Sequence, residues 1–149
     1  MLKKKKTIGR AECVSFRDDT IRELPAKIDT GAYRSSVWAS NIREEKGTLY
    51  FTLLGPSSIF YSGLEHSTKE FKLIDVENSF GHKQKRYSIF LSVEIAGKKV
   101  KSNFTLANRG MKTYPVLIGR KLLRNRFVVD VSIGDPIPDE EKSNVNNLD

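Results

Sequence analysis

An aspartate, a hydroxyl residue and a glycine stand in a row at Asp29-Thr30-Gly31, followed by the small Ala32. A carboxylate held still at the end of a strand can act as a general acid or base. Apolar Ile28 leads into the aspartate, so the stretch reads as a buried strand that ends in an exposed acid. Gly31 permits a sharp turn, Thr30 can hydrogen-bond nearby backbone, and Ala32 leaves room beside the carboxylate. The competing reading is a plain turn, since turns are rich in Asp and Gly. A second stretch, YPVLIGRKLL at residues 114–123, is an apolar strand, then Gly119, then the start of a helix. Alone it reads as a packing corner. Its value lies in combination with the Asp-Thr-Gly upstream.

The elements that must position these residues are mostly strands. Apolar residues alternate in short runs separated by turn residues, which is the β period rather than the helical one. Strands are expected over residues 7–16, 23–28, 48–54, 70–76, 87–95, 99–106, 114–118 and 127–131. Between two alternating runs, Ala96-Gly97-Lys98 makes the tight reversal of a β-hairpin. After Gly119, RKLLRN has room for about a turn and a half of helix before Phe127 restarts a strand. Many short strands with one late helix predict a small closed or half-closed barrel. The Gly-, Pro- and Ser-containing stretch GPSSIFYSGLEHSTK, starting at Gly55, reads as a loop or a mobile hairpin.

At 149 residues the chain has the size of one domain. Its single cysteine, Cys13, cannot form a disulfide within the chain and suits a reducing, cytoplasmic compartment. No apolar run has signal-peptide or bilayer-spanning length, so no membrane partner is expected. The net charge is +8, but residues 134–149 hold five acidic groups and one lysine, net −4, which leaves +12 on the first 133 residues. The expected division is therefore a basic N-terminal tail at 1–7, a domain at 8–133 and an acidic, disordered tail at 134–149. A basic field attracts nucleic acid, acidic peptides or anionic surfaces. Nucleic-acid binding by the basic face is the weaker reading, since Trp38 and the tyrosines form no stacking motif and no recognition helix is evident.

Other chemistries fare poorly on residue type. Zinc requires three or four converging ligands, whereas the chain has two histidines, His66 and His82, and no His-Glu-x-x-His. His66 and Glu70 stand four apart, but in a loop-and-strand context. No phosphate-binding Gly-x-x-x-x-Gly-Lys-Ser/Thr occurs, and Ser35 and Ser36 lack a nucleophile elbow; local hydrogen bonding that fixes the loop is their expected role. No metal and no cofactor is expected.

Asp29-Thr30-Gly31-Ala32 followed by Leu117-Ile118-Gly119 resembles the retropepsin-like aspartic peptidase pattern, a catalytic loop and a hydrophobic strand that crosses beneath it into a helix. Over about residues 8–133 the chain is similar to a bacterial and archaeal family called ATP-dependent zinc protease, often linked with RimK-type ATP-grasp glutamate ligases. The resemblance implies a mainly β, small closed acid-protease barrel with one short C-terminal helix. Two carboxylates sharing a proton are needed for aspartic peptidase chemistry, and the chain has one Asp-Thr-Gly, so it implies a homodimer with Asp29 of both chains on the two-fold axis. Thr30 would bond across that axis, Gly31 would shape the catalytic loop and Ala32 would border substrate. Arg86 and Arg109 could bind a carboxylate or phosphate, or be ordinary solvated cations. Either 55–66 or 77–86 could form a flap. The implied activity is peptide or amide hydrolysis, with acidic or glutamate-rich peptides as substrates. The alternative is a non-catalytic dimer that binds a glutamate ligase or its peptide substrate.

Overall fold

The computed structural model describes residues 4–77 and 80–134. The acidic segment beyond Gly134 lies outside the described residues. The strands are β1 (Lys6–Ile8), β2 (Ala11–Phe16), β3 (Leu24–Ile28), β4 (Ser35–Glu45), β5 (Thr48–Leu53), β6 (Glu65–Thr68), β7 (Phe71–Glu77), β8 (Lys83–Ile95), β9 (Lys98–Ala107), β10 (Val116–Ile118) and β11 (Phe127–Val129), with helix α1 (Arg120–Leu123) between the last two. Six of them close a ring in the order β10-β3-β2-β8-β9-β4, and β10 returns to β4. The fold is the closed, mainly β barrel with one short helix that the pattern predicts.

Alternation builds the core. In β3, Leu24, Ala26 and Ile28 are buried while Lys27 between them is exposed. The same inward period brings Phe16, Val93, Phe104 and Val116 into one cluster, with the Phe16 and Phe104 rings edge-on at 6.0 Å. Each such side chain contributes about 1.5–3 kcal/mol by leaving water. The predicted reversal between β8 and β9 is a two-residue loop: Ile95 pairs with Lys98, and Ala96 and Gly97 both take positive φ, 51° and 79°. Such left-handed pairs match the strand twist.

Three strands depart from the expected set. The run expected at 7–16 is broken at Gly9-Arg10 into β1 and β2. β1, which starts inside the segment read as a basic tail, pairs in parallel with β11, Lys6 opposite Phe127. β4 and β6 are additional strands. β4 begins with Ser35, Ser36 and Val37 all buried, because it is flanked there by β9 and β10. Its register against β5 then shifts between Ser40 and Arg43, where Asn41 adopts φ 51°. Both features erase the simple alternation.

Trp38, the one tryptophan, is clamped by two glycines. A Cβ on Gly55 would stand 2.6 Å from Trp38 Cζ2, and one on Gly110 would stand 2.8 Å from the same atom. Gly110→Ala is expected to displace the indole, shift its fluorescence emission and cost about 1–3 kcal/mol. Unchanged emission and an unchanged melting temperature would show that the clamp has slack.

Candidate active site

Asp29 follows directly on β3, at the end of the barrel where β10 runs into α1. Its backbone N–H donates to the Ile118 carbonyl at 2.9 Å, which continues the parallel pairing of β3 with β10 by one residue. Beyond it the chain turns: Gly31 N–H donates to Asp29 Oδ1 at 3.0 Å and Ala32 N–H to the Asp29 carbonyl at 3.2 Å. One carboxylate oxygen is thus held by the loop itself. The aspartate is half-buried, and Thr30 and Gly31 are exposed.

The second motif grips the first. Gly119 N–H donates to Ser35 Oγ at 3.0 Å, between residues 84 positions apart. Arg120 N–H donates to the Ala32 carbonyl at 2.8 Å and Lys121 N–H to the Tyr33 carbonyl at 3.0 Å. The Arg120 guanidinium reaches the Thr30 carbonyl at 3.1 Å and lies 5.8 Å from the Tyr33 ring centre. Four consecutive loop residues, Thr30 to Tyr33, are therefore fixed from α1 or by the Asp29 turn. Ser35, expected to bond locally, instead ties the loop to Gly119, while the buried Ser36 hydroxyl has no protein partner among the described residues.

Arg86 and Arg109 stand on other elements. Arg86 is half-buried on the β7–β8 hairpin, where its Nε and Nη2 donate to Gln84 Oε1 at 3.2 and 3.1 Å, and burial lowers its pKa. Arg109 lies in the connection from β9 to β10, its Nε donating to the Tyr114 carbonyl at 3.0 Å. Arg86 thus bonds a neighbouring side chain on its own strand, and Arg109 braces local backbone.

The profile described as "Retropepsin-like aspartic endopeptidase RimB" matches residues 7–135. The chain belongs to this RimB-like family. The match takes in the Asp29 loop, the Leu117-Ile118-Gly119 strand and α1. Two Shewanella proteins named "Probable alpha-L-glutamate ligase" are also similar: that of S. pealeana is 30% identical over 84% of this chain, and that of S. halifaxensis 31% over the same share. This RimB-like chain spans 28% of the length of those relatives. A Legionella pneumophila protein of unknown function has a crystal structure that superposes with a TM-score of 0.63 at 26% identity, covering 87% of this chain and 96% of that one. Among the described residues no three His, Cys, Asp or Glu groups are placed to hold a metal ion.

His66 is engaged elsewhere in the RimB-like barrel. Its Nε2 lies 2.8 Å from Oδ2 of Asp19, whose side chain is fully buried, and its ring stacks on Phe51 at 5.3 Å. Burial pushes the Asp19 carboxyl up. Hydrogen bonds from His66, the Thr20 N–H and Ser62, with attraction to His66, outweigh this and hold it below the ordinary carboxylate value. A depressed folded pKa means stabilisation present above the ordinary value and lost as pH falls through the folded one. His66→Ala is expected to cost about 3 kcal/mol at neutral pH. Thermal unfolding at neutral pH and at about pH 3 checks this, since the gap between wild type and variant should narrow in acid. An equal gap at both pH values would assign the loss to packing on Phe51.

Proposed function

We propose that the protein is an aspartic-type peptidase that works as a homodimer in the cytoplasm on acidic or glutamate-rich peptides. The observation that carries this reading is the Asp29 loop, an acid at a strand end with its backbone and one carboxylate oxygen fixed by Ile118, Gly31 and α1. Membership of the RimB-like family supports it. Each chain supplies one Asp29, and two such groups a few ångströms apart cannot both ionise, so they share a proton. The ionised carboxylate takes a proton from a water molecule as its oxygen attacks the scissile carbonyl carbon. The protonated carboxyl donates to the carbonyl oxygen, giving a neutral tetrahedral diol. Breakdown returns a proton to the leaving nitrogen and regenerates the pair.

Thr30 and Gly31 would form the loop that meets its twin across the two-fold axis, and Ala32 would border the substrate. Of the two flap candidates, the segment 77–86 suits the role better. Its described residues, 77 and 80–86, include the end of β7 and the start of β8, and β7 pairs with β8 outside the barrel ring.

The test is cleavage of a mixed peptide library containing poly-glutamate and glutamate-tailed members, by wild type and by Asp29→Asn, with the dimer followed by sedimentation. A second reading, a non-catalytic dimer that binds an ATP-grasp glutamate ligase or its peptide substrate, is favoured by the glutamate-ligase names of the Shewanella relatives. A dimeric wild type that cleaves nothing in the library would select it.

A further inference from the structure

A cleft of about 490 Å³ opens beside the catalytic framework, between the residues that follow the Asp29 loop and the start of β7. Four cations line it, Arg34, Lys69, Lys72 and Lys121, against one carboxylate, Glu70. Arg34 and Lys121 also line a small neighbouring cavity that includes Ser35, the residue whose hydroxyl holds Gly119. Among the described residues none of the four cations is in an ion pair. The Lys121 ammonium donates to Asn103 Oδ1 at 2.8 Å, and the Arg34 guanidinium lies 5.7 Å from the Tyr33 ring centre.

Two of these cations are tied to the candidate site. Arg34 follows the loop directly, and Lys121 N–H bonds the Tyr33 carbonyl from α1. Lys69 and Lys72 come from the other wall, at the foot of the β7–β8 hairpin. Phe90, half exposed, gives the cleft an apolar plate. A cluster of unpaired like charges on one concave surface is repulsive within the folded chain, and it is relieved by an anion that enters it.

We infer that this cleft is the specificity subsite for a glutamate side chain of the substrate, its carboxylate set among Arg34, Lys69, Lys72 and Lys121 and its methylenes against Phe90. The inference rests on the peptidase reading and assigns its preference for acidic peptides to particular residues. An extended acidic peptide fits because the cleft runs from Arg34 and Lys121, beside the loop, to the start of β7. Arg34 supplies planar, two-pronged recognition of a carboxylate, and the lysines supply point charges.

The experiment uses the full chain carrying Asp29→Asn, so that binding is read without turnover. Fluorescence anisotropy measures its affinity for dye-labelled hexaglutamate and hexaglutamine. Hexaglutamate is expected to bind more tightly. Lys69→Gln with Lys72→Gln should weaken it about tenfold, as should Arg34→Gln, whereas Lys46→Gln with Lys99→Gln, an equal loss of charge outside the cleft, should leave it nearly unchanged. Lys69 and Lys72 are exposed, so their replacement spares the core. Equal weakening by both lysine pairs, or no preference for glutamate over glutamine, would overturn the assignment. Failure of the peptidase reading shows separately, as a dimeric wild type that cleaves nothing or as cleavage that survives Asp29→Asn.

Discussion

Asp29→Asn is expected to abolish peptide cleavage, lowering kcat by at least about a thousandfold, while the fold and the dimer persist. The amide is nearly isosteric with the carboxylate and its oxygen can still accept the Gly31 N–H that Asp29 Oδ1 accepts at 3.0 Å. It cannot take a proton from water or share one with its twin. In a symmetric dimer the substitution removes both members of the pair at once, so no half-active species is left. The measurement is single-turnover cleavage of a glutamate-tailed peptide together with the thermal melt and the sedimentation coefficient. Lost cleavage with an unchanged melt and size would assign the chemistry to Asp29. Retained cleavage would move it elsewhere.

Gly119→Ala should damage stability and activity together. Gly119 has extended backbone, φ −98° and ψ 179°, so it is required for space rather than for an unusual conformation. A Cβ there would overlap the Arg34 carbonyl oxygen, and would stand 2.7 Å from the Arg34 carbonyl carbon and 2.9 Å from the Ala32 carbonyl oxygen. All three are backbone atoms that cannot rotate away. Relief requires α1 and the Asp29 loop to separate, which strains the bonds from Arg120 N–H to Ala32 and from Lys121 N–H to Tyr33. We expect a loss of about 3 kcal/mol and a fall in cleavage of about a hundredfold from a loop misplaced by an ångström. Thermal unfolding and the same cleavage assay check it. A variant with wild-type values in both would show that the loop and the helix are not in close contact.

The features legible from residue order alone are those that local chemistry encodes. Asp29-Thr30-Gly31 needs its carboxylate, hydroxyl and glycine in immediate sequence, and Ala96-Gly97 declares its turn by lying between two alternating runs. β4 stayed hidden because burial on both sides of Ser35 and Ser36 replaces alternation with small polar residues, and the irregularity near Asn41 disrupts the remainder of the strand. β6, EHST, is short and polar and is a strand because β5 offers an edge to it. Asp19 within RDDT looks like an ordinary turn residue. Its burial against His66 depends on a contact between residues 47 positions apart. The basic cleft is equally dispersed, since Arg34, Lys69, Lys72 and Lys121 come from three separate segments and only the closed barrel sets them around one space.

Barrel closure rests on β10, three residues long, which pairs with β3 on one side and β4 on the other. The same three residues end in the carbonyl that receives the Asp29 N–H. Closing the ring and assembling the loop are consequently one event. That contact joins residues far apart in sequence, so forming it carries a loop-closure entropy cost. With the ring open, Asp29 would lack the Ile118 carbonyl that accepts its N–H. On the peptidase reading, the candidate loop would therefore be complete only while the ring is closed.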